Sequence, residues 1–530
     1  MKQVRGLVLV SLLLVACLAS TGLADRPRHD RSLELARKID ATLDAAWARE
    51  DVKPTSPATD LELLRRMTLD LLGTVPSLEE LRAFEAEPET GRQERLVARL
   101  MADPRFQSAF AERLARITVG PGKKQDDLFY RRRRYTEWLR DQIARHRPWD
   151  EVVREIVASE GVTVDGPSNF IAAADGDPAK LASRTSRAFF GIRLDCAQCH
   201  DHPFTDWKQK DFEGIAAFYA RVERKGPLVF EKAQGDYELE DRKSGKPRIV
   251  EPAVPFAPEA LEKIGSGAQS QAQANAPGYR APAEAKRREA LGRWITDPRN
   301  PFFARSIANR LWAWLMGHGL IEPVDTIDES KPRFPEVLAL LEEELRADRF
   351  DLEALVRAIV STRAYALSSR GAPALQDAFA VYPLKPLHAD QLANAIWQAT
   401  SFETEDDRRA LVMRLARADQ TAKFIARHGA DPDAEIPEDE TLLQRLLLVN
   451  GEVVKGRIKH DAPTSATKRL LVLAPSDEKL VEVAFLMVLA RRPDDAERAH
   501  FTGRLHGNRN LAAEDIFWAL LNSSEFAWNH

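Results

Sequence analysis

The run Gly265-Ser-Gly-Ala-Gln-Ser-Gln-Ala-Gln-Ala-Asn-Ala-Pro-Gly278 holds no aromatic and no branched aliphatic side chain. Such a stretch can bury almost nothing, so the chain must build its apolar cores on either side of it. With 530 residues and 44% hydrophobic content there is enough material on both sides for a sizeable core. Leu, Ala, Arg and Glu dominate and strand formers are sparse outside one central region. The expected class is mainly α and multi-helical: two helical domains with a short β or irregular insertion and a flexible linker between them. The expected divisions are an export signal at 1–24, a helical domain at 33–222, the insertion and low-complexity linker at 223–284, and a second helical domain at 285–528.

Helix punctuation supports that division. Leu33, Leu35, Ile39, Leu43 and Ala46 recur at helical spacing, and a Pro/Ser/Thr loop follows at Pro54 to Thr59. Asp60 to Leu72 reads as a helix stopped by Gly73, with Ser77 and Glu80 forming a capping box for the next helix. A related pattern returns at Leu486 to Glu497, so these are either two diverged copies of one helical unit or two ordinary hairpins with common turn residues. Two helices are expected over 128–160, and the run Arg131 to Arg134 reads as a solvated face rather than an anion site. Residues 226–256, with Val229, Tyr237, Ile249 and several prolines, read as the β or irregular excursion. Further helices are expected at 287–295, 335–347, 351–363, 388–400, 405–415 and 441–458, with an acidic loop at Asp433 to Glu440.

Lys2 and Arg5 followed by the apolar run Gly6 to Ala16 have the form of an export signal. Leu14-Val-Ala-Cys17 resembles a lipoprotein box that would lipidate Cys17, and Gly22-Leu-Ala24 offers ordinary cleavage instead. No later run is long and apolar enough to span a bilayer. The expected location is therefore the periplasm or cell envelope, either soluble or lipid-anchored. A net charge of -4 on a balanced surface argues against nucleic acid as a partner.

One stretch states a chemistry: Cys196-Ala-Gln-Cys199-His200-Asp-His202-Pro-Phe204. Beyond Cys17, Cys196 and Cys199 are the remaining cysteines of the chain. C-x-x-C-H is the arrangement of c-type haem attachment, with two thiols one turn apart for the vinyl groups and the adjacent imidazole as axial ligand. The same atoms allow two other readings. Cys196 and Cys199 with His200 or His202 could hold zinc, and an exported chain could join the cysteines in a disulfide. A thioredoxin-like redox motif would need a βαβ neighbourhood that the pattern lacks. The aromatic run Trp207 to Tyr219 could pack a porphyrin edge or fill a core, and core is the better assignment for each residue. No catalytic triad, phosphate-cradling loop or nucleic-acid module stands out.

Leu64-Arg-Arg-Met-Thr-Leu-Asp-Leu-Leu-Gly73, Cys196 to Trp207, Asn300-Pro-Phe-Phe-Ala-Arg305 with Asn309-Arg-Leu-Trp312, and Leu521 to His530 together resemble the planctomycete cytochrome-associated proteins. These pair domain-of-unknown-function families 1549 and 1553, here at about 33–222 and 285–528. The resemblance implies association with a separate cytochrome c as redox partner, and no substrate. Where relatives commonly carry a histidine in Asn-Pro-Pro-Ser-His-Pro, this chain has Phe334 within Ser330-Lys-Pro-Arg-Phe-Pro335, so no role of that histidine carries over.

A haem held by His200 would need a second ligand or an open face. Met316 or His318, across the linker, are the candidates for the second axial ligand. His202 lies too close to His200 to reach the opposite face and is expected to hydrogen bond nearby or to serve as an alternative zinc ligand. His388, His428, His460 and His500 read as surface or capping residues. The expected function is an exported cytochrome c-like redox or electron-transfer protein with haem c at Cys196, Cys199 and His200. The alternative is a zinc- or disulfide-stabilised cell-envelope scaffold.

Overall fold

The computed structural model describes residues 30–120, 130–202, 205–240, 245–255, 286–327, 331–406, 411–428, 451–461 and 465–530. Residues 1–29 (Cys17 and the expected export signal), the low-complexity run 265–278 and the acidic stretch 433–440 lie outside the described residues. Helices carry most of the rest, in the order of a mainly α chain.

Local chemistry sets the helix ends. In the helix Asp60–Leu72, Thr59 and Glu62 bond each other's backbone N–H groups, and Gly73 closes the far end in the left-handed region at φ 69°. Ser77 and Glu80 form the expected capping box, with bonds of 2.8 and 3.1 Å, at the start of Leu78–Glu85. The second hairpin repeats this chemistry. Asp494 and Glu497 cap Asp495–Leu505, but the preceding helix Asp477–Leu489 ends on Ala490 at φ 54° instead of on a glycine. The two hairpins meet directly, Arg492 pairing with Glu85 at 2.7 Å.

The central excursion is three short antiparallel pairings: Gly161–Val162 with Leu228–Glu231, Leu228–Glu231 with Val222–Lys225, and Tyr237–Glu240 with Pro247–Val250. Arg132 reaches back to Glu112 and the Gly120 carbonyl, whereas Arg133 and Arg134 lie exposed and share Glu137, so most of the arginine run is a solvated face. Helices occupy Pro335–Ala347, Leu352–Val360 and Ala389–Ala399 as expected. The pattern at 405–415 resolves into a later and longer helix, Leu411–His428. Of 441–458, Glu452–Ile458 is a helix and 441–450 lies outside the described residues.

The helical segments before and after the linker share one apolar core, which runs from Leu64 and Phe106 through Leu311 and Leu355 to Phe485. Helix Arg287–Ile295 crosses Trp149–Ala158 so closely that a Cβ on Gly292 would lie 3.3 Å from the Arg154 Cα. Phe190 stands edge-on to Trp294 at 5.1 Å across the same boundary. Buried arginines fasten the two segments. Arg288 donates to the carbonyls of Val157 (3.2 Å) and Ser159 (2.6 Å), and Arg310 to that of Arg187 (2.6 Å). A buried guanidinium is tolerated because its donors end on carbonyls that would otherwise lack partners. Among the described residues no helix is long and apolar enough to cross a membrane.

Candidate functional site

The cysteine motif follows helix Pro178–Thr185, which continues through a wide turn at Ser186–Phe190 and stops at Gly191, φ 66°. A Cβ there would sit 3.0 Å from the Ser306 Oγ, so glycine lets this corner press against the helix Pro301–Met316. The buried carboxylate of Asp325 accepts from Arg187 (2.9 Å) and Arg193 (2.6 Å), pinning the chain on both sides of that corner.

The motif begins in a 3₁₀ turn, Leu194–Gln198. Leu194 and Ala197 point inward with 0% exposure, while Cys196 and Cys199 are both exposed and are not joined to each other. Cys199 closes the turn three residues after Cys196. His200 is exposed and its Nδ1 lies 2.7 Å from the Asp201 carbonyl, an arrangement that puts the hydrogen on Nδ1 and frees Nε2. Asp201 accepts from the Gln209 backbone N–H at 3.0 Å; that bond, with Lys208 at 3.6 Å, holds its carboxyl below the usual range. The backbone N–H of His202 donates to the Trp207 carbonyl (2.8 Å), closing the loop.

Met316 and His318 are not brought to this motif. Met316 is fully buried at the last position of Pro301–Met316. The motif's neighbour Trp207 meets that helix at Phe302, near its first residue, with ring centroids 6.0 Å apart, and sixteen residues at about 1.5 Å each separate the two ends by more than about 20 Å. His318 stacks on Phe379 at 4.4 Å and bonds the Gln376 carbonyl at 3.0 Å. The aromatic run is mostly core: Phe212, Phe218 and Tyr219 are buried, and Trp207 alone of its rings is half-buried beside the motif. Phe334 is also core, packed 5.6 Å from Phe379. Among the described residues no three His, Cys, Asp or Glu side chains gather as metal ligands.

A second constellation was not singled out as a site from the sequence. On the helix Asp60–Leu72, Arg65, Arg66 and Asp70 are buried among leucines, and all their partners lie after the linker. Arg65 donates to the carbonyls of Val488 (3.1 Å), Glu525 and Phe526 (3.0 Å). Arg66 donates to those of Tyr365, Leu367 (2.8 Å) and His530 (3.2 Å), and lies 3.6 Å over the Tyr382 ring. Asp70 accepts from Tyr365 and Tyr382 (2.9 Å each), Asn529 (2.9 Å) and Lys385 (2.8 and 2.9 Å). Lys385 also donates to the carbonyls of Trp314 and Leu315 at the end of Pro301–Met316. Burial pulls its ammonium down to about 8 against the attraction of Asp70. Burial and Asp70 push both phenols well above their usual range, so they remain hydrogen donors.

Beside Asp70 and Lys385 opens a cavity of about 200 Å³. Its walls come from helix Pro104–Val119 (Arg113, Arg116), helix Pro301–Met316 (Trp314), His388, and the paired strands Lys385–Pro386 and Trp528–Asn529. Arg116 bonds the Nδ1 of His388 at 2.6 Å and Asp390 at 2.8 Å. Burial and Arg116 hold His388 well below its usual range, so the imidazole is neutral with its hydrogen on Nε2. His388 does stand at a helix start, as expected, but it also faces this cavity. Although burial disfavours a charged Asp390, the Arg116 guanidinium bonded to it holds it at about 2.

The family model PSCyt2, protein of unknown function (DUF1549), matches residues 38–224, and PSD1, protein of unknown function (DUF1553), matches residues 287–505. The chain is a tandem DUF1549–DUF1553 protein. The low-complexity run 265–278 falls between the two matched ranges. No curated protein and no solved structure was found to match it. In this tandem protein the cysteine motif belongs to the DUF1549 region, whereas the cavity takes walls from both regions and from the strand at Trp528.

Three half-buried histidines set a pH dependence. Burial with Arg65 lowers His530 to about 4, burial with Arg116 lowers His388, and burial with Arg333 lowers His318. In the unfolded chain each takes a proton near 6.5. Acid therefore favours the unfolded state: the histidines' contribution is complete above about pH 6.5 and is lost as pH falls toward 4. The slope is at most about 1.4 kcal/mol per pH unit for each histidine. Urea midpoints measured from pH 7 to 4.5 are expected to fall steadily, and a flat profile would contradict neutral burial.

Proposed function

We propose that this tandem protein is an exported one-electron carrier with haem c attached at Cys196 and Cys199 and ligated by His200. The observation that carries this reading is the turn, closed by Cys199, at which both cysteines are exposed while Leu194 and Ala197 are buried, next to an imidazole whose Nδ1 meets a backbone carbonyl. A c-type group needs two thiols at this spacing and one imidazole nitrogen with a lone pair, and these residues meet both needs. When bound, haem supplies one-electron transfer. The chain's own part is to orient: the Asp201 carbonyl selects the tautomer of His200, the Gln209 N–H steadies Asp201, and Asp325 holds the approach to the turn. Met316 and His318 are held elsewhere, so the reading assigns one protein ligand. Zinc would require three or four converging donors, a demand that the arrangement of the described residues does not favour. The exposed position of the motif suits exchange with a separate cytochrome c.

Expression in a periplasm competent for cytochrome maturation tests the proposal. A haem-staining band on a denaturing gel is expected, lost in the double variant Cys196→Ala/Cys199→Ala. His200→Ala is expected to keep the stain but change the visible spectrum. Colourless protein with zinc, or with the two sulfurs bonded to each other, would replace this reading with that of a cell-envelope scaffold.

A further inference from the structure

The cavity between the two regions holds donors that the protein itself does not use. Arg113 lines it, and among the described residues its guanidinium makes no hydrogen bond or ion pair; its recorded neighbour is the ring of Trp314 at 5.8 Å. The surrounding protein desolvates this cation, which lowers its proton affinity, so the charge is held at a cost with no carboxylate bonded to it. The other charges on this wall are accounted for. Lys385 is spent on Asp70 and two carbonyls, and Arg116 on Asp390 and His388. Because Arg116 donates to Nδ1, His388 carries its hydrogen on Nε2, and that N–H also has no partner among the described residues. The amides of Gln391 and Asn529 also line the cavity, donating to the Leu69 carbonyl and to Asp70, and Trp314, Leu387, Trp528 and Leu384 supply its apolar surface, the last 52% exposed.

We propose that this cavity binds a small organic carboxylate, its anionic group on Arg113 and the His388 N–H and its apolar body against the two tryptophans. An unmatched guanidinium forms charge-assisted hydrogen bonds with a carboxylate, and partial desolvation strengthens them. An aromatic-lined wall selects against a bare inorganic anion, which would leave that surface uncovered. A volume of about 200 Å³ falls below the roughly 300–1,000 Å³ of drug-sized pockets, so the ligand is small. Lys385 and Asp70 form the floor and anchor the fold; they do not take part in binding through free donors.

Benzoate, benzamide and inorganic phosphate titrated into the purified full-length protein test this, followed by calorimetry and by tryptophan fluorescence from the cavity wall. Benzoate is expected to bind saturably at one per chain, with benzamide, the uncharged analogue, at least about tenfold weaker. Arg113→Gln is expected to weaken benzoate by about tenfold or more, and Arg113→Lys by less. Leu384→Asp places a negative charge at the exposed mouth without touching the core and is expected to weaken benzoate as well. It carries the mutational test if Arg113→Gln does not fold. No saturable benzoate binding, equal binding of benzamide, or an affinity unchanged in the folded variants would overturn the proposal. Phosphate binding more tightly than benzoate would overturn its organic-ligand half. None of these outcomes depends on haem, so the result stands apart from the redox reading.

Discussion

Asp70→Asn is expected to destabilise the protein by about 3–5 kcal/mol, the typical cost of removing one partner from a buried ion pair. The Asp70 side chain is 3% exposed and accepts from Lys385, Tyr365, Tyr382 and Asn529 at 2.8–2.9 Å. The amide has nearly the same shape but loses the charge, and its NH₂ faces donors where an acceptor was. The ammonium of Lys385 then meets only neutral acceptors, the remaining amide oxygen and the carbonyls of Trp314 and Leu315. Lys385→Met removes that charge from the other side, and the double variant is expected to cost less than the sum of the singles, by about 1–3 kcal/mol of coupling. Urea unfolding of the four proteins measures this. An additive cycle would mean that the pair does not act as one unit.

Expressed separately, residues 30–255 and residues 286–530 are each expected to fail to fold, and expressed together they are expected to copurify as a complex. The ordinary expectation for two family regions joined by a low-complexity run is independent domains with a modest interface. Here the buried guanidiniums of Arg65 and Arg66 would lose every carbonyl partner if the second region were absent. The second region alone would leave Arg288 and Arg310 without the carbonyls of Val157, Ser159 and Arg187. Each fragment would also expose to water its side of the apolar core that the two segments share, and the lost burial is comparable to the whole stability of a domain. The check is solubility and cooperative thermal unfolding of each fragment alone and of the pair. Cooperative unfolding of either fragment alone at the temperature of the whole protein would refute the coupling.

The carboxylate site depends on the same joint, since Arg113 comes from one region and His388 from the other. A single fragment would present half of it. The cysteine turn leans on the second region through Asp325 and Ser306, but its sulfurs and His200 lie within one short stretch of chain.

What could be read from the chain alone was whatever rests on neighbours in sequence. Gly73, Ser77 with Glu80, and Asp494 with Glu497 announce their helix ends because caps are made within three or four residues. Cys196, Cys199 and His200 announce a chemistry because it needs that spacing and nothing distant. The helical class and the β excursion follow from the same local signals. Met316 and His318 could not be judged in this way, because whether a side chain reaches another site depends on packing; here they end in the core and against Gln376. Arg65, Arg66 and Asp70 did leave a trace, as three charges among leucines on one helix. Their partners, however, lie about 300–460 positions away in the chain. Only the tertiary structure decides which charges are buried together, because desolvation and pairing act through space.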